Sequence, residues 1–309
     1  MTTPRPTPVV STVRRPAAWR RRDRRWGWVF VGPQLVGMVL FILGPFVASL
    51  VLAFASWDGL TALKWVGLAN FIDQLTDELL LKSIVNTLLI ALITVPVGLA
   101  LALLIAVALE KLRTRSLYLV LFFAPVVTST VAVAMIWQQL FRADGVLSSF
   151  IGSTFGIDPP DWLGDPRLAL VSVCIVTIWS SVGLNSVIFL AGLQGISPSV
   201  VEAAQLDGAG AWSLLTRIRM PLISPIIFFS TVVAFISSLQ TFDTVFVLTA
   251  DAGPDNATRT IVYHIYDLGF GRFEFGPSSA ASVILLALTL VITGLQFTAQ
   301  KRFVHYESD

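Results

Sequence analysis

The sequence predicts an all-α membrane protein with six transmembrane helices. Three observations carry this. Mean hydropathy is +0.79. Hydrophobic residues make up 55% of the chain and charged residues 13%, against about a quarter charged in a soluble domain. Six apolar runs, near 27–55, 83–109, 117–141, 168–193, 222–248 and 279–299, each reach the roughly 20 residues that cross a bilayer. Backbone groups in lipid must bond internally, so each run reads as a helix. Period-2 alternation, the mark of a membrane barrel, is absent.

The chain opens with a basic tail, 1–26. Pro4, Pro6, Pro8, Pro16 and scattered arginines make residues 1–18 read as disordered. Arg20, Arg21, Arg22, Arg24 and Arg25 stand directly before the first apolar run and read as a topology anchor rather than a nucleic-acid patch. That run exceeds the about 7–15 apolar residues of a signal peptide, so an uncleaved first span is expected.

Charge asymmetry gives the orientation. With the N-terminus inside, the cytoplasmic segments hold fifteen basic residues: eight arginines of the tail, Lys111, Arg113, Arg115, Arg217, Arg219, Lys301 and Arg302. The opposite loops hold six: Lys64, Lys82, Arg142, Arg167, Arg259 and Arg272. Both termini are therefore expected in the cytoplasm. A transmembrane body over 27–300 and a short C-terminal tail, 301–309, complete the division.

Pro33, Pro45, Pro96, Pro125 and Pro225 punctuate the runs and predict bends. Charged residues are nearly absent from them, which disfavours a proton-coupled carrier and a catalytic membrane enzyme. No catalytic set and no metal-ligand set stands out. Cys174, the single cysteine, reads as a small packing residue. Thr177, Ser180, Ser181 and Asn185 lie mid-run around Trp179, and Ser237, Ser238, Gln240 and Thr241 lie in the fifth run. Residues 177, 181 and 185 share a helical face, as do 237, 238 and 241. Such hydroxyls suit a neutral polyhydroxylated ligand. They suit helix–helix hydrogen bonding equally well.

The segments 56–80, 142–167 and 251–277 read as structured outer caps, with Trp57 and Trp65 as interfacial aromatics. The segment 196–221, between the fourth and fifth runs, should be cytoplasmic. Ser199 and Glu202 form a capping box; Ser197 followed by Pro198 is a competing helix start. Gly208 can break that helix. Residues 211–219 read as a second short helix with an apolar stripe of Leu214, Leu215 and Ile218, ended by Pro221. Two short helices there suit a rigid knob against a soluble partner, or an amphipathic surface resting on lipid.

Glu202, Ala203, Ala204, Gly208, Ile218 and Pro221 resemble the EAA loop of ABC-importer permeases, with Met220 where leucine is usual. The WDGL stretch at 57–60, VGLANF at 66–71 and FDTVFVLT at 242–249 resemble carbohydrate permeases of the maltose and glycerol-3-phosphate type, first of two paired subunits. Ala252 departs from a usual Gly-Gly-Pro run at 252–254. The resemblance implies a type I ABC importer fold in a bacterial cytoplasmic membrane. It implies that the EAA residues form a coupling helix seated in an ATPase subunit. It also implies a sugar site at Thr177, Ser180, Ser181, Ser237, Ser238 and Thr241. The implied partners are a second permease, a dimer of ATP-binding subunits and an extracytoplasmic sugar-binding protein. The chain has no phosphate-binding loop of the G-x-x-x-x-G-K-[ST] kind, so ATP and Mg would be held by the partner and no cofactor by this chain. A permease for a phosphorylated polyol or an amino sugar is the alternative within transport.

Overall fold

Where the apolar runs stay straight and where they break follows from proline, glycine and hydroxyl placement. The computed structural model describes residues 17–110, 112–156 and 158–303. Residues 1–16, which carry most of the expected disordered tail and Arg5, Arg14 and Arg15, lie outside the described residues, as do Lys111 and residues 304–309. The chain divides into two units, Met1–Val51 and Leu52–Asp309.

In the first unit, helix α1 (Ala17–Met38) begins within the segment read as the tail, so residues 17–26 are helical rather than disordered. Ala17, Ala18 and the arginines are strong helix formers, and nothing between them and the apolar run stops a helix. A π-helical turn, Val39–Leu43, follows, then α2 (Gly44–Leu52). Pro45 brings no N–H and crowds the preceding turn, which a π turn relieves.

The second unit opens with a two-residue hairpin, β1 (Ala55–Ser56) antiparallel to β2 (Lys64–Trp65). The WDGL stretch is its turn. Asp58 Oδ1 accepts from the amides of Leu60 and Thr61 at 3.0 and 2.7 Å, and Gly59 takes φ +86°. These bonds, the Thr61 amide first, pull the Asp58 carboxyl down to about 2. Helix α3 (Ala69–Thr76) carries the VGLANF residue Asn70, buried, whose amide donates to Ala53 O and Ala55 O at 3.0 and 2.9 Å. Trp57 packs on Phe275 at 5.5 Å, while Trp65 stays 67% exposed.

Helix α4 (Glu78–Glu110) is one continuous span that contains Pro96. The third predicted run is not straight. Helices α5 (Arg115–Val127) and α6 (Thr130–Phe141) meet at about 100°. Thr128 Oγ1 donates to Ala124 O at 2.8 Å, and extended Thr128 and Ser129 turn the chain, as hydroxyl residues that compete with the backbone tend to do. Helix α7 (Val146–Phe155) follows. Helix α8 (Pro166–Gln194) is a full span, capped by Asp165 Oδ1 at the amides of Arg167 and Leu168 with Pro166 in its first turn.

The fifth run is also broken. After α9 (Pro198–Leu206), a helical stretch runs through α10 (Ala211–Ser213), a π segment Leu214–Arg219 and α11 (Met220–Leu222). It bends by 73° into α12 (Ser224–Leu239). Pro221 therefore sits inside the helix, and the break falls at Ile223, just before Pro225. Helix α13 (Asp243–Leu248) is separate, so the one charge in the predicted run, Asp243, leaves the span. Helix α14 (Ile261–Tyr266), a π turn Asp267–Gly271 and α15 (Phe275–Phe303) complete the chain. Among the described residues four helices are long and apolar enough to cross a membrane, and the two bent pairs bring the number to six if each is one crossing. The protein is a multi-pass, almost wholly helical membrane protein.

In lipid there is little hydrophobic drive between helices, so close packing must serve. Helix α4 lies along α8 and α12, and α5 crosses α8. At that crossing a Cβ on Gly183 would stand 1.8 Å from Phe122 O, so only glycine permits it. Val95, Leu99, Ala102, Ala106 and Leu109 pack on Phe189, Leu190, Leu193 and Ile223 near the end that carries the 196–221 loop. A second cluster, including Ile90, Val173, Cys174 and Val245, fills the other half of the same helices.

Candidate functional site

Three sites arise from this frame: a polar cavity, the 196–221 loop, and a charged network at the opposite end. The cavity, of about 220 Å³, lies between α4, α8 and α12. Thr177, Ser180, Ser181, Ser237 and Ser238 all line it, with Thr94 and Asn185. No charged side chain does. Thr241 does not line it. Helix α12 ends at Leu239 with Gln240 as its cap, so residue 241 leaves the face that an uninterrupted helix would have given it. Trp179 also lies outside the cavity, edge-on to Trp137 at 5.7 Å; Phe229 supplies the aromatic wall.

The hydroxyls are already half committed. Thr177, Ser180 and Ser181 donate to Val173 O, Val176 O and Ile178 O at 2.8, 2.9 and 3.1 Å. Their protons are spent on their own helix, leaving oxygen lone pairs for a donor-rich ligand. Ser238 does what a helix-bonding hydroxyl would. Thr94 gives its proton to Ile90 O at 2.7 Å, so Ser238 donates to Thr94 Oγ1 at 3.2 Å. A larger cavity of about 1,280 Å³ adjoins through shared Ile188 and Phe229 and is lined by Gly192, Ser197, Arg217 and Pro221 of the loop side.

The loop is a helix–turn–helix. Its first helix starts at Pro198 behind Ser197, so the competing start holds and the Ser199–Glu202 capping box does not form. Ser199 Oγ is instead 2.8 Å from Ser197 Oγ. Proline's preset φ favours the first helical position. Gly208 takes φ +82°; the Ala209 amide bonds Ala204 O and the Gly208 amide bonds Gln205 O, both at 3.0 Å. That is a Schellman stop, and it needs the left-handed residue. Leu214 turns inward and is buried, while Leu215 and Ile218 of the same stripe are half-buried. Glu202 and Ala203 are exposed, Ala204 is buried, and Ile218 and Pro221 are half-buried. Leu206 and Trp212 stand 89% and 72% exposed beside them. One ion pair ties the loop to the bundle: Arg219 Nη1 to Glu110 Oε2, 2.6 Å.

At the other end a buried network surrounds His264, which is fully buried. Arg259 faces His264 Nδ1 at 3.2 Å, so Nδ1 accepts and Nε2 donates to Gln74 Oε1 at 2.9 Å. Arg259 also pairs with Asp267 at 2.6 Å, and Arg272 reaches the same carboxylate at 2.9 Å. Burial, then the Arg259 charge, push the His264 ring down to about 4. Burial raises the Asp267 carboxyl, but the Arg259 and Arg272 contacts outweigh it and hold it low. Neither this network nor the Arg219–Glu110 pair was visible as a motif. Their members stand 109 and up to 190 residues apart, and the only signal was an acidic residue at the end of an apolar run.

Residues 95–305 match the family described as "Binding-protein-dependent transport system inner membrane component". The chain is 35% identical over 293 residues to a probable ABC transporter permease protein of Bacillus subtilis, covering 93% of this chain and 94% of the relative. It is 34% identical to a lactose transport system permease protein of Rhizobium radiobacter, over 89% and 94% of the two chains. Its fold is similar to a chain of a bacterial ABC transporter involved in the import of the acidic polysaccharide alginate, with a TM-score of 0.82, 24% identity, and coverage of 94% and 100%.

Proposed function

The chain belongs to the family of binding-protein-dependent transport system inner membrane components, and on that premise we propose that it forms one wall of the passage of an ATP-driven sugar importer. It is a permease subunit, a transport component rather than an enzyme. The single observation that carries the sugar reading is the uncharged hydroxyl-lined cavity between α4, α8 and α12. A phosphorylated solute would call for a cation there, and the lining has none. Similarity to a lactose permease supports the same reading. At about 220 Å³ the cavity is smaller than the roughly 300–1,000 Å³ of complete ligand sites, which fits a wall completed by a second permease.

Thr177, Ser180, Ser181, Ser237 and Ser238 bind the sugar in this reading; Thr241 acts only through its backbone, whose carbonyl accepts from Thr260 at 2.8 Å. Glu202, Ala203, Ala204, Gly208, Ile218 and Pro221 dock on an ATP-binding subunit dimer, which holds the ATP and Mg. The exposed Leu206 and Trp212 beside them suit a surface that a partner covers. The loop and both termini face the cytoplasm, the His264 network faces outward towards a sugar-binding protein, and the membrane is the bacterial cytoplasmic one. Residues 27–300 form the permease body, flanked by the two tails. ATP binding closes the ATPase pair, the loop moves with it, and the cavity changes the side it opens to. Only contacts that differ between the two states can drive that change.

The test is uptake in liposomes by the assembled importer, using the sugar that copurifies with its binding protein. Ser181→Leu and Ser237→Leu should each reduce uptake at least about tenfold, equivalent to roughly 1.4 kcal/mol, while Thr241→Leu changes it far less. Unchanged uptake in both serine variants would refute the site.

A further inference from the structure

Glu110 is the last residue of α4, where the helix presents its unpaired carbonyls and its negative end. A carboxylate is unfavourable there without a cation. Arg219, at the end of the π segment of the loop, supplies it: Nη1 to Oε2 is 2.6 Å, with the two side chains 14% and 22% exposed. A short ion pair largely shielded from water is directional and weakly screened by salt. It is therefore suited to carry force, unlike a solvated surface pair. The loop's covalent paths to the bundle run instead through the non-helical residues 195–197 after α8 and through the 73° bend into α12.

Helix α4 leads from this pair to the polar cavity. Thr94, Val95, Gly98 and Leu99 line that cavity, and Thr94 lies about 24 Å along the helix from Glu110 at 1.5 Å per residue. Thr94 meets Ser238 of α12 at 3.2 Å. So α4 makes two polar contacts along its length, one with α12 at the cavity and one with the loop through Arg219.

We infer that the Arg219–Glu110 pair is a strut that carries displacement of the 196–221 loop into α4, so that α4 and α12 move as one body and the cavity changes access. Both are positioning residues. The inference rests on the coupling role proposed for the loop. The strut stays closed through the cycle.

The assembled importer in liposomes, in a Cys174→Ser background with Ser181→Cys as the only thiol, provides the test. The probe is a charged methanethiosulfonate reagent added from the cytoplasmic side, with and without ATP and vanadate. With the native pair, nucleotide should change the labelling rate at least about tenfold, the scale of an allosteric coupling. Arg219→Glu and Glu110→Arg should each abolish that change while the ATP-binding subunits still copurify. The double exchange, and Arg219→Lys alone, should restore it to within about twofold. No nucleotide effect with the native pair would overturn the coupling role of the loop. A native effect that survives both single reversals would overturn the strut alone. If a reversal does not assemble, a short bis-methanethiosulfonate link between Glu110→Cys and Arg219→Cys in a chain lacking other thiols decides the matter by nucleotide-driven uptake. Retained uptake supports a strut that stays closed; loss that reductant reverses overturns it.

Discussion

The two ends of the bundle are built on opposite principles. The end that carries His264 is tied by many buried polar bonds between distant segments. Asn70 holds Ala53 and Ala55, Asn86 holds the carbonyls of Asn256 and Arg259 at 3.0 and 3.1 Å, Thr87 accepts from the Ile261 amide at 3.0 Å, and Lys82 donates to Asp255 O. His264 joins α3 to α14 through Gln74. Among the described residues the 196–221 loop has one ion pair to α4, and it has exposed apolar residues at its tip. A buried polar network is costly to break because each orphaned group pays its full desolvation. A single pair leaves a segment free to move as a unit. The His264 end is thus built to hold its shape and the loop to move as a piece.

The largest expected effect tests the rigid end. His264→Leu leaves Arg259, 5% exposed, without its ring acceptor and Gln74, also 5% exposed, without its donor. It should cost roughly 2–4 kcal/mol, read as a lower thermal midpoint in detergent, with nucleotide-driven movement of the loop unaffected. An unchanged midpoint would mean that the network is not what holds this end. Acid probes the same group. Above pH 6.5 the ring is neutral folded and unfolded, so its contribution is fully present. Between 6.5 and about 4 the unfolded chain takes up a proton that the folded ring resists, so stability falls as pH falls through that window. Melting at pH 7 and pH 5 should show this loss in the native chain and less of it in His264→Leu. Asp77, Arg259, Asp267 and Arg272 surround the ring, and none of the four charges is removed by that substitution.

The next effect tests the loop. Gly208 has no atom within 4 Å of where a Cβ would lie, so Gly208→Val acts on the backbone alone. A β-branched residue at φ +82° should cost about 1–2 kcal/mol and unwind the Schellman stop. Uptake should fall at least about tenfold while the thermal midpoint of the rest moves little. If uptake persists, the helix–turn–helix need not be rigid, and the contrast between the two ends weakens.

The smallest effect sharpens the picture of the His264 end. Ala252 holds φ +62°, a left-handed angle that favours glycine, at the position where the resembling permeases carry one. Ala252→Gly should relieve about 0.5–1 kcal/mol of strain, less the entropy that glycine adds to the unfolded chain. A small rise in the thermal midpoint is expected. A fall would show that the buried methyl outweighs the strain.

Much of the loop was legible from residues close in sequence. Pro198 and Gly208 set its helix ends through φ alone. The cavity was half legible. Residues 177, 181 and 185 stay on one helix, so periodicity grouped them, but Thr241 was misplaced because the end of α12 at Leu239 has no strong breaker in the sequence. The 100° bend at Thr128–Ser129 was equally faint beside an apolar run that reads as continuous.

By itself, then, the sequence determined that this is a helical membrane protein and where the two short helices between the fourth and fifth runs lie. Each of these depends on composition or on contacts within a few residues. Tertiary structure alone decided that Thr94 and Ser238 share a cavity, that Arg259 and Gln74 share His264, and that Glu110 meets Arg219. Those pairings depend on how helices pack, and packing between residues a hundred or more positions apart leaves no periodic trace in the chain.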